Sequence, residues 1–145
     1  MIAYREIHDM DVESVINLWK RCGLTRDWND PYKDIALARS GPASAILVGE
    51  IDQRVVATVM VGHDGHRGVL YYLAVDPEFQ KCGFGRATVK AAEDWLCKLG
   101  VWKINLTVRA ENYDVSGFYE SLGYVVNPVV SFGKLIDGTW PDVRP

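Results

Sequence analysis

The chain has 145 residues, of which 48% are hydrophobic, with a net charge of −3 and a mean hydropathy near zero. These values are typical of one soluble globular domain, expected over residues 1–145, and argue against a basic nucleic-acid-binding surface. No apolar run has the length of a membrane span, and the charged N-terminal residues lack a signal-peptide core. Three cysteines at unrelated spacings fit no metal pattern, so we expect reduced thiols in a cytoplasmic protein without a metal.

Turn and periodicity signals predict short helices and strands in the first half of the chain. Gly23 is typical of a left-handed helix end, and Asn29-Asp30-Pro31 is typical of a helix start. The predicted elements are a strand over 2–8, helices over 11–22 and 31–39, and strands over 45–51, 55–61 and 69–75. Asp64-Gly65 predicts the hairpin turn before the last strand. This strand is apolar on both faces, which favours a central position.

The second half predicts two more helices and three more strands. A helix with a wide apolar face runs to about Leu99, and Asn112 is a candidate cap for the last helix, up to Leu122. Strands are predicted over 102–108, 124–126 and 130–136, and the tail from Asp137 is expected to be loose. The order β-α-α-β-β-β-α-β-α-β-β predicts an α/β domain with a single mixed sheet.

The stretch Gln-Lys-Cys-Gly-Phe-Gly-Arg at 80–86 lies between the central strand and a helix. The first N–H groups of a helix have no partner inside it, and the helix dipole adds positive potential there. Glycines let the backbone approach a ligand closely. The stretch therefore predicts a phosphate or pyrophosphate site, although a glycine-rich turn without a ligand is the simpler alternative.

The spacing argues against two common nucleotide loops. A dinucleotide-binding fingerprint needs a third small residue where Thr88 stands, and an acidic residue where Lys103 stands. The run Gly, four residues, Gly-Lys-Ser/Thr of the ATPase loop does not occur.

The spacing Gln80-x-x-Gly83-x-Gly85 resembles the acetyl-CoA pyrophosphate loop of the GCN5-related N-acetyltransferases (GNAT), Arg/Gln-x-x-Gly-x-Gly/Ala. The segment 72–80 resembles the core strand that leads into that loop, and 112–124 resembles the family's second motif. The segments 28–31 and 64–68 are similar to the small bacterial YpeA-like acetyltransferases. The resemblance implies the GNAT fold, with a mostly antiparallel sheet splayed in the middle and helices on both faces.

The resemblance also implies a function: transfer of an acetyl group from acetyl-CoA to an amine by direct transfer through a ternary complex. A non-catalytic acetyl-CoA-binding module is the alternative. Tyr119 matches the family's usual proton donor to the CoA sulfur, although it could also be a core residue with a bonded hydroxyl. Cofactor contacts are expected from the central strand, the glycine loop and the helix cap: Leu73, Ala74, Val75, Gln80, Lys81, Cys82, Gly83, Phe84, Gly85, Arg86 and Asn112.

The general base and the acceptor stay open at this stage. Base candidates are water and five side chains: Glu50, His63, Asp64, His66 and Glu111. The segments 25–33 and 62–68 are expected on the acceptor side, where Tyr71 and Tyr72 could line a pocket. Four residues suggest an acceptor that carries positive charge, although each could be a cap or a surface group: Trp28, Asp30, Asp34 and Asp64. Strand edges near 124–136 would allow a homodimer.

Overall fold

The computed structural model describes residues 1–139, which fall into two compact units, 1–106 and the residues from 107 onward. The prediction of a single domain over 1–145 is not tested by this division. The elements are β1 (Ala3–Glu6), α1 (Val12–Arg21), α2 (Pro31–Ala38), β2 (Ser44–Ile51), β3 (Arg54–His63), β4 (Gly68–Val75), α3 (Phe84–Lys98) and α4 (Tyr113–Ser121). Residues 140–145 of the predicted tail lie outside the described residues.

Four strands of the first unit form an antiparallel sheet in the order β1-β2-β3-β4. Each strand pairs with its neighbour in sequence, so short turns join β2 to β3 and β3 to β4. The second of these turns is the predicted one: the Asp64 carboxylate accepts the N–H groups of His66 and Arg67 at 2.8 and 2.7 Å. The predicted GNAT fold is confirmed, with a sheet of four strands that is open at β4. These four strands pair antiparallel throughout rather than forming a mixed sheet, and the splay in the middle stays a prediction.

Helices pack on both faces of this sheet, as predicted. Ile46 and Val48 of β2 belong to the core formed with α1 and α2, around the fully buried Trp19. The other face carries α3, since the Thr88 hydroxyl lies 2.7 Å from that of Tyr4 in β1. Because β2 alternates its side chains between the two faces, its apolar run is buried on both.

β4 contains an irregularity that periodicity did not reveal. The register between β3 and β4 shifts between Thr58 and Met60, and Tyr72 has a left-handed φ of 52°. The Thr58 hydroxyl donates to the Tyr72 carbonyl at 3.0 Å and accepts the Trp19 indole N–H at 2.9 Å. This β-bulge places Tyr72 over α1, with its ring stacked on that of Trp19 at 3.7 Å.

The predicted strand over 102–108 is wrong. Within residues 1–106, its only strand-like pairing is an isolated parallel bridge between Gly68 and Ile104. Gly68 donates its N–H to the Lys103 carbonyl at 2.8 Å and accepts the Asn105 N–H at 2.9 Å. Residues with β propensity become a strand only beside a partner, and the pairing ends at Gly68.

The strands predicted over 124–126 and 130–136 are also wrong, since the second unit has no strand between residues 107 and 139. Pro128 has no N–H to give to a ladder. Valines and aromatic residues raised the predicted strand content, yet several of them are exposed: Val125, Val126, Val129, Val130 and Phe132. The homodimer inferred from these strand edges stays a prediction.

Candidate functional site

The two ends of β4 differ in how their open edge is used. At the N-terminal end, both backbone groups of Gly68 bond with residues 103 and 105. At the C-terminal end, Asp76 donates its N–H to Val56, and Ala74 pairs with Thr58. In the alternation of an antiparallel ladder, the backbone groups of Leu73 and Val75 then point away from β3, towards the open edge.

The loop after β4 presents a run of backbone N–H groups. Lys81 and Gly83 have left-handed φ angles of 62° and 82°, and Gly83 is the N-cap of α3. The first helical N–H with a partner is that of Ala87, which donates to the Gly83 carbonyl at 3.1 Å. No acceptor within residues 1–139 takes the N–H groups of 81–86. The loop therefore offers the donors that an anion needs.

The charges around this loop fit a polyanion. Lys81 and Arg86 are exposed and form no ion pair with any described side chain. The first turn of α3 contains no acidic residue that would offset the positive potential at the N-terminus of this 15-residue helix. A Cβ added to Gly83 would meet no heavy atom within 4 Å, so the loop surface is open there. These features fit the pyrophosphate of a nucleotide-linked cofactor.

The Gln80 side chain connects the loop to the last residue of β4. Its side-chain N–H donates to the Val75 carbonyl at 3.0 Å, and the Cys22 thiol lies 3.4 Å from the same oxygen. Gln80 therefore ties the loop to the end of β4. The Cys82 thiol is exposed in the loop, and the first-turn residues Phe84 and Gly85 are half-buried.

Asp76 fixes the turn between β4 and the loop. Its carboxylate is 2% exposed, accepts the Glu78 N–H at 3.0 Å and pairs with Arg21 at 2.8 Å and Arg54 at 3.0 Å. Burial raises the pKa of Asp76, but the Glu78 hydrogen bond and the two guanidinium groups outweigh it and hold the pKa below its usual range. Arg21 and Arg54 come from α1 and β3, so two elements of the core hold this turn.

A polar cluster lies beside the bulge. The Tyr72 hydroxyl donates to Asp34 Oδ2 at 2.7 Å, and the Asn29 amide donates to the same oxygen at 2.7 Å and to the Tyr72 hydroxyl at 3.1 Å. Sequence reasoning named Asp34 and Tyr72 separately but did not bring them together. The sequence did not reveal the bulge that brings them together. Strict alternation along a strand would place the neighbours Tyr71 and Tyr72 on opposite faces of the sheet.

Three of the four candidate bases in the first unit have structural partners, and the fourth, His66, is exposed. Glu50 pairs with Arg5 at 3.2 Å, and the His63 ring accepts the Gly65 N–H at 3.1 Å. Hydrogen bonds from the Arg67 and His66 N–H groups hold the pKa of Asp64 below its usual range. His66 is exposed in the same turn. These contacts fit turn and surface roles, and no base is identified among these residues.

The second unit carries the other two predicted site residues. Asn112 is the N-cap of α4, and its side chain accepts the Val115 N–H at 3.3 Å, as predicted. Tyr119 is buried on the same helix, with its ring 5.4 Å from that of Tyr124. Burial raises the pKa of Tyr119 to about 12. Within residues 107–139 no hydrogen bond occupies its hydroxyl, unlike a core tyrosine with a bonded hydroxyl.

Two further findings concern the described chain as a whole. No group of three or more metal-ligating side chains gathers among residues 1–139. The helices there are all too short or too polar to cross a membrane.

Comparison with known families gives a direct match. The family model described as "Acetyltransferase (GNAT) family" matches residues 5–124, which is most of the chain. The match includes β4, the glycine loop, α3 and α4. The finer YpeA-like assignment is not confirmed and stays a prediction.

Solved acetyltransferase structures have a similar fold. AAC(6')-Iy, in complex with the bisubstrate analogue CoA-S-monomethyl-acetylneamine, has a TM-score of 0.79 at 16% identity, over 93% of this chain and 98% of that one. Glucosamine-6-phosphate N-acetyltransferase from Arabidopsis thaliana has a TM-score of 0.70 at 23% identity, over 94% and 99%. A ribosomal-protein-alanine N-acetyltransferase from Escherichia coli has 0.74 at 24% identity, over 95% and 87%.

Proposed function

Since the chain belongs to the GNAT family of acetyltransferases, we propose that it transfers an acetyl group from acetyl-CoA to the amine of an acceptor. Acetyl-CoA supplies the acetyl group as a thioester. The similar structures include enzymes named for aminoglycoside, glucosamine-6-phosphate and ribosomal-protein acceptors, so amines of different size are compatible with the fold.

The observation that carries this proposal is the run of N–H groups at 81–86 without an acceptor in the described chain. Six adjacent donors at a helix N-terminus, with Lys81 and Arg86 beside them, suit a pyrophosphate. Predicted cofactor contacts of Gln80, Cys82, Phe84 and Gly85 belong to the same segment. An unliganded glycine turn would need no such run of donors.

The open edge of β4 suits the rest of the cofactor. The backbone groups of Leu73 and the N–H of Val75 are directed to that edge, where an amide-containing chain can bind as a further strand would. The Val75 carbonyl is already bonded to Gln80. Ala74 packs in the core between them, so its expected role is to hold this backbone in place. A backbone N–H near Leu73 is the proposed donor to the thioester oxygen.

Tyr119 is the proposed donor to the leaving sulfur. Its pKa of about 12 keeps the phenol protonated at neutral pH, as a donor requires. A thiol has a pKa near 8.5, so complete proton transfer from this phenol would be uphill. We therefore assign Tyr119 the donation of a hydrogen bond that stabilises the departing thiolate. The proposed cofactor contact of Asn112 is separate from its role as a helix cap.

A thermal-shift titration tests cofactor binding. Acetyl-CoA at about 100 times its Kd should stabilise the protein by about 2.7 kcal/mol and raise the melting temperature, whereas NAD and ATP should not. Lys81→Ala/Arg86→Ala should weaken the shift, and Lys103→Ala, which removes a charge elsewhere, should preserve it. An equal response to acetyl-CoA and NAD would contradict the proposal.

Turnover distinguishes an enzyme from a binding module. Free-thiol release should be measured with a panel of amines for the wild type and for Tyr119→Phe. We expect the substitution to lower kcat by about 100-fold with little change in acetyl-CoA affinity. Tyr113→Phe is the matched control, because Tyr113 lies at the exposed start of the same helix. Tight acetyl-CoA binding without turnover on any amine would favour the non-catalytic alternative.

A further inference from the structure

The structure separates the acidic residues that the sequence placed on the acceptor side. Asp30 is the N-cap of α2 and accepts the Tyr32 N–H at 2.9 Å. Asp64 caps its hairpin turn through His66 and Arg67. Both carboxylates are therefore explained by local structure. Asp34 lies in the first turn of α2, but its carboxylate accepts no backbone N–H there.

The Asp34 carboxylate is oriented by two neutral donors and forms no ion pair with any described side chain. Both of its side-chain hydrogen bonds, from Asn29 and Tyr72, reach the same oxygen, Oδ2. Oδ1 has no partner among residues 1–139, and Asp34 forms no ion pair there. A half-buried carboxylate held by neutral donors attracts a cation more strongly than a freely rotating surface carboxylate does.

The bulge connects this carboxylate to the proposed reaction site. Tyr72, which holds Asp34, directly precedes Leu73, the proposed donor to the thioester. The Tyr72 ring is fixed by its stacking on Trp19. Burial, followed by the hydrogen bond to Asp34, raises the pKa of Tyr72 well above its usual value, so its phenol stays protonated and is not a base. A cation bound at Oδ1 would lie on the α1 and α2 side of this strand.

We propose that Asp34, oriented by Asn29 and Tyr72, binds an ammonium group of the acceptor that does not react. This inference rests on the proposed acetyl transfer. The attacking amine must lose its proton, so a lasting attraction to a carboxylate acts on a second, retained positive charge. The acceptor class is then amines with at least two cationic groups, such as diamines and polyamines.

The test compares cadaverine and spermidine with pentylamine, which has one amine on the same carbon chain as cadaverine. The wild type should have at least a tenfold lower KM for the two polyvalent amines than for pentylamine. Asp34→Asn should raise the KM for both about tenfold, with kcat changed by less than about threefold, because an ion pair to an oriented carboxylate has about this strength. The KM for pentylamine should stay unchanged.

Two further variants control for charge and for structural damage. Asp52→Asn removes a carboxylate from the exposed turn between β2 and β3, at a left-handed φ of 49° that asparagine tolerates, and should leave every KM unchanged. Asp34→Glu keeps the charge and should restore part of the affinity. Equal effects of Asp34→Asn and Asp52→Asn, or no preference of the wild type for the polyvalent amines, would overturn the inference.

Direct binding keeps this test separate from that of acetyl transfer. Calorimetry should detect spermidine binding to the wild type with CoA present, and about tenfold weaker binding to Asp34→Asn. This result would support the cation site even if no amine were acetylated, and the proposed function alone would then fail. Turnover of amines that is insensitive to Asp34, or no spermidine binding, would remove the cation site and leave acetyl transfer standing.

Discussion

The two ends of β4 differ in whether the outer edge of the strand is hydrogen-bonded. At Gly68 the open edge is closed by residues 103 and 105, and α3 packs so tightly that an added Cβ would lie 2.6 Å from the Leu96 side chain. Beyond the bulge at Tyr72, the register directs backbone groups to an edge with no described strand beside it in residues 1–106. The closed end contributes to stability, and the open end is available for binding.

The bulge is what makes this division possible. An unbroken ladder would continue the same pairing geometry from Gly68 to Val75. The additional residue at Tyr72 changes the phase of the strand, and the Thr58 hydroxyl holds that change in place. Substitutions at the closed end should therefore alter folding stability, while those after the bulge should alter ligand binding.

The largest effect is expected at the closed end. Gly68→Val places a branched side chain where a Cβ alone would meet Leu96 at 2.6 Å and Ile104 at 3.3 Å. Overpacking of this kind should lower the free energy of unfolding by about 3 kcal/mol, measured by urea denaturation. Gly41→Val is the control, because a Cβ there meets no heavy atom within 4 Å. Equal stability of the two variants would contradict a closed end at Gly68.

The bulge should show the next largest effect. Thr58→Val leaves the Trp19 indole N–H and the Tyr72 carbonyl without their shared partner in a buried position. We expect a loss of about 2 kcal/mol in the free energy of unfolding, because unpaired buried polar groups are costly. Thr58→Ser retains the hydroxyl and should lose less than half as much. If Val and Ser behave alike, the hydroxyl does not hold the bulge.

The glycine loop should separate binding from stability. Gly83→Ala and Gly100→Ala both put a side chain at a left-handed φ, 82° and 83°, with no heavy atom within 4 Å of the new Cβ. Each should cost about 1 kcal/mol of stability. Only Gly83→Ala should weaken acetyl-CoA binding, by about tenfold in calorimetry, because only Gly83 lies in the proposed pyrophosphate loop. Equal affinities would contradict that location.

The smallest effect concerns the turn at Asp76. Its pKa is lowered in the folded state, so its stabilising contribution is fully present above the unfolded value near 3.9 and is lost as the pH falls through the folded value. Asp76→Asn should cost below about 1 kcal/mol at pH 7, since both arginines are half exposed. The difference from the wild type should shrink below pH 4.

The control for this prediction is Asp9→Asn, which removes an exposed ion pair with Arg39. It should change stability by less than Asp76→Asn at pH 7. A difference between wild type and Asp76→Asn that grows towards acidic pH would contradict the sign of the shift.

Local signals predicted the parts of the molecule that depend on local chemistry. The glycine loop was found because its spacing and its place before a helix are sequence properties, and the caps Asp30 and Asn112 were found for the same reason. Helices and strands of the first 100 residues begin and end within about two residues of their predicted positions.

Pairing between distant segments could not be predicted in the same way. The strands expected over 102–108, 124–126 and 130–136 had β propensity, but a strand also needs a neighbour whose position no local pattern specifies. The bulge at Tyr72 could not be predicted because the run from Val69 to Val75 is apolar at nearly every position. Such a run has no alternation of polar and apolar residues that a bulge could interrupt.

The helix α3 has an exposed cysteine near each end, Cys82 just before it and Cys97 in its last turn. At 1.5 Å per residue, the 15-residue helix is roughly 22 Å long, so the two cysteines lie near its opposite ends. A thiol-reactive reagent can therefore label a cysteine near each end of α3 in one experiment. A ligand bound at the glycine loop would slow the labelling of Cys82. The labelling rate of Cys97 in the same sample would serve as the internal control for the reactivity of the reagent.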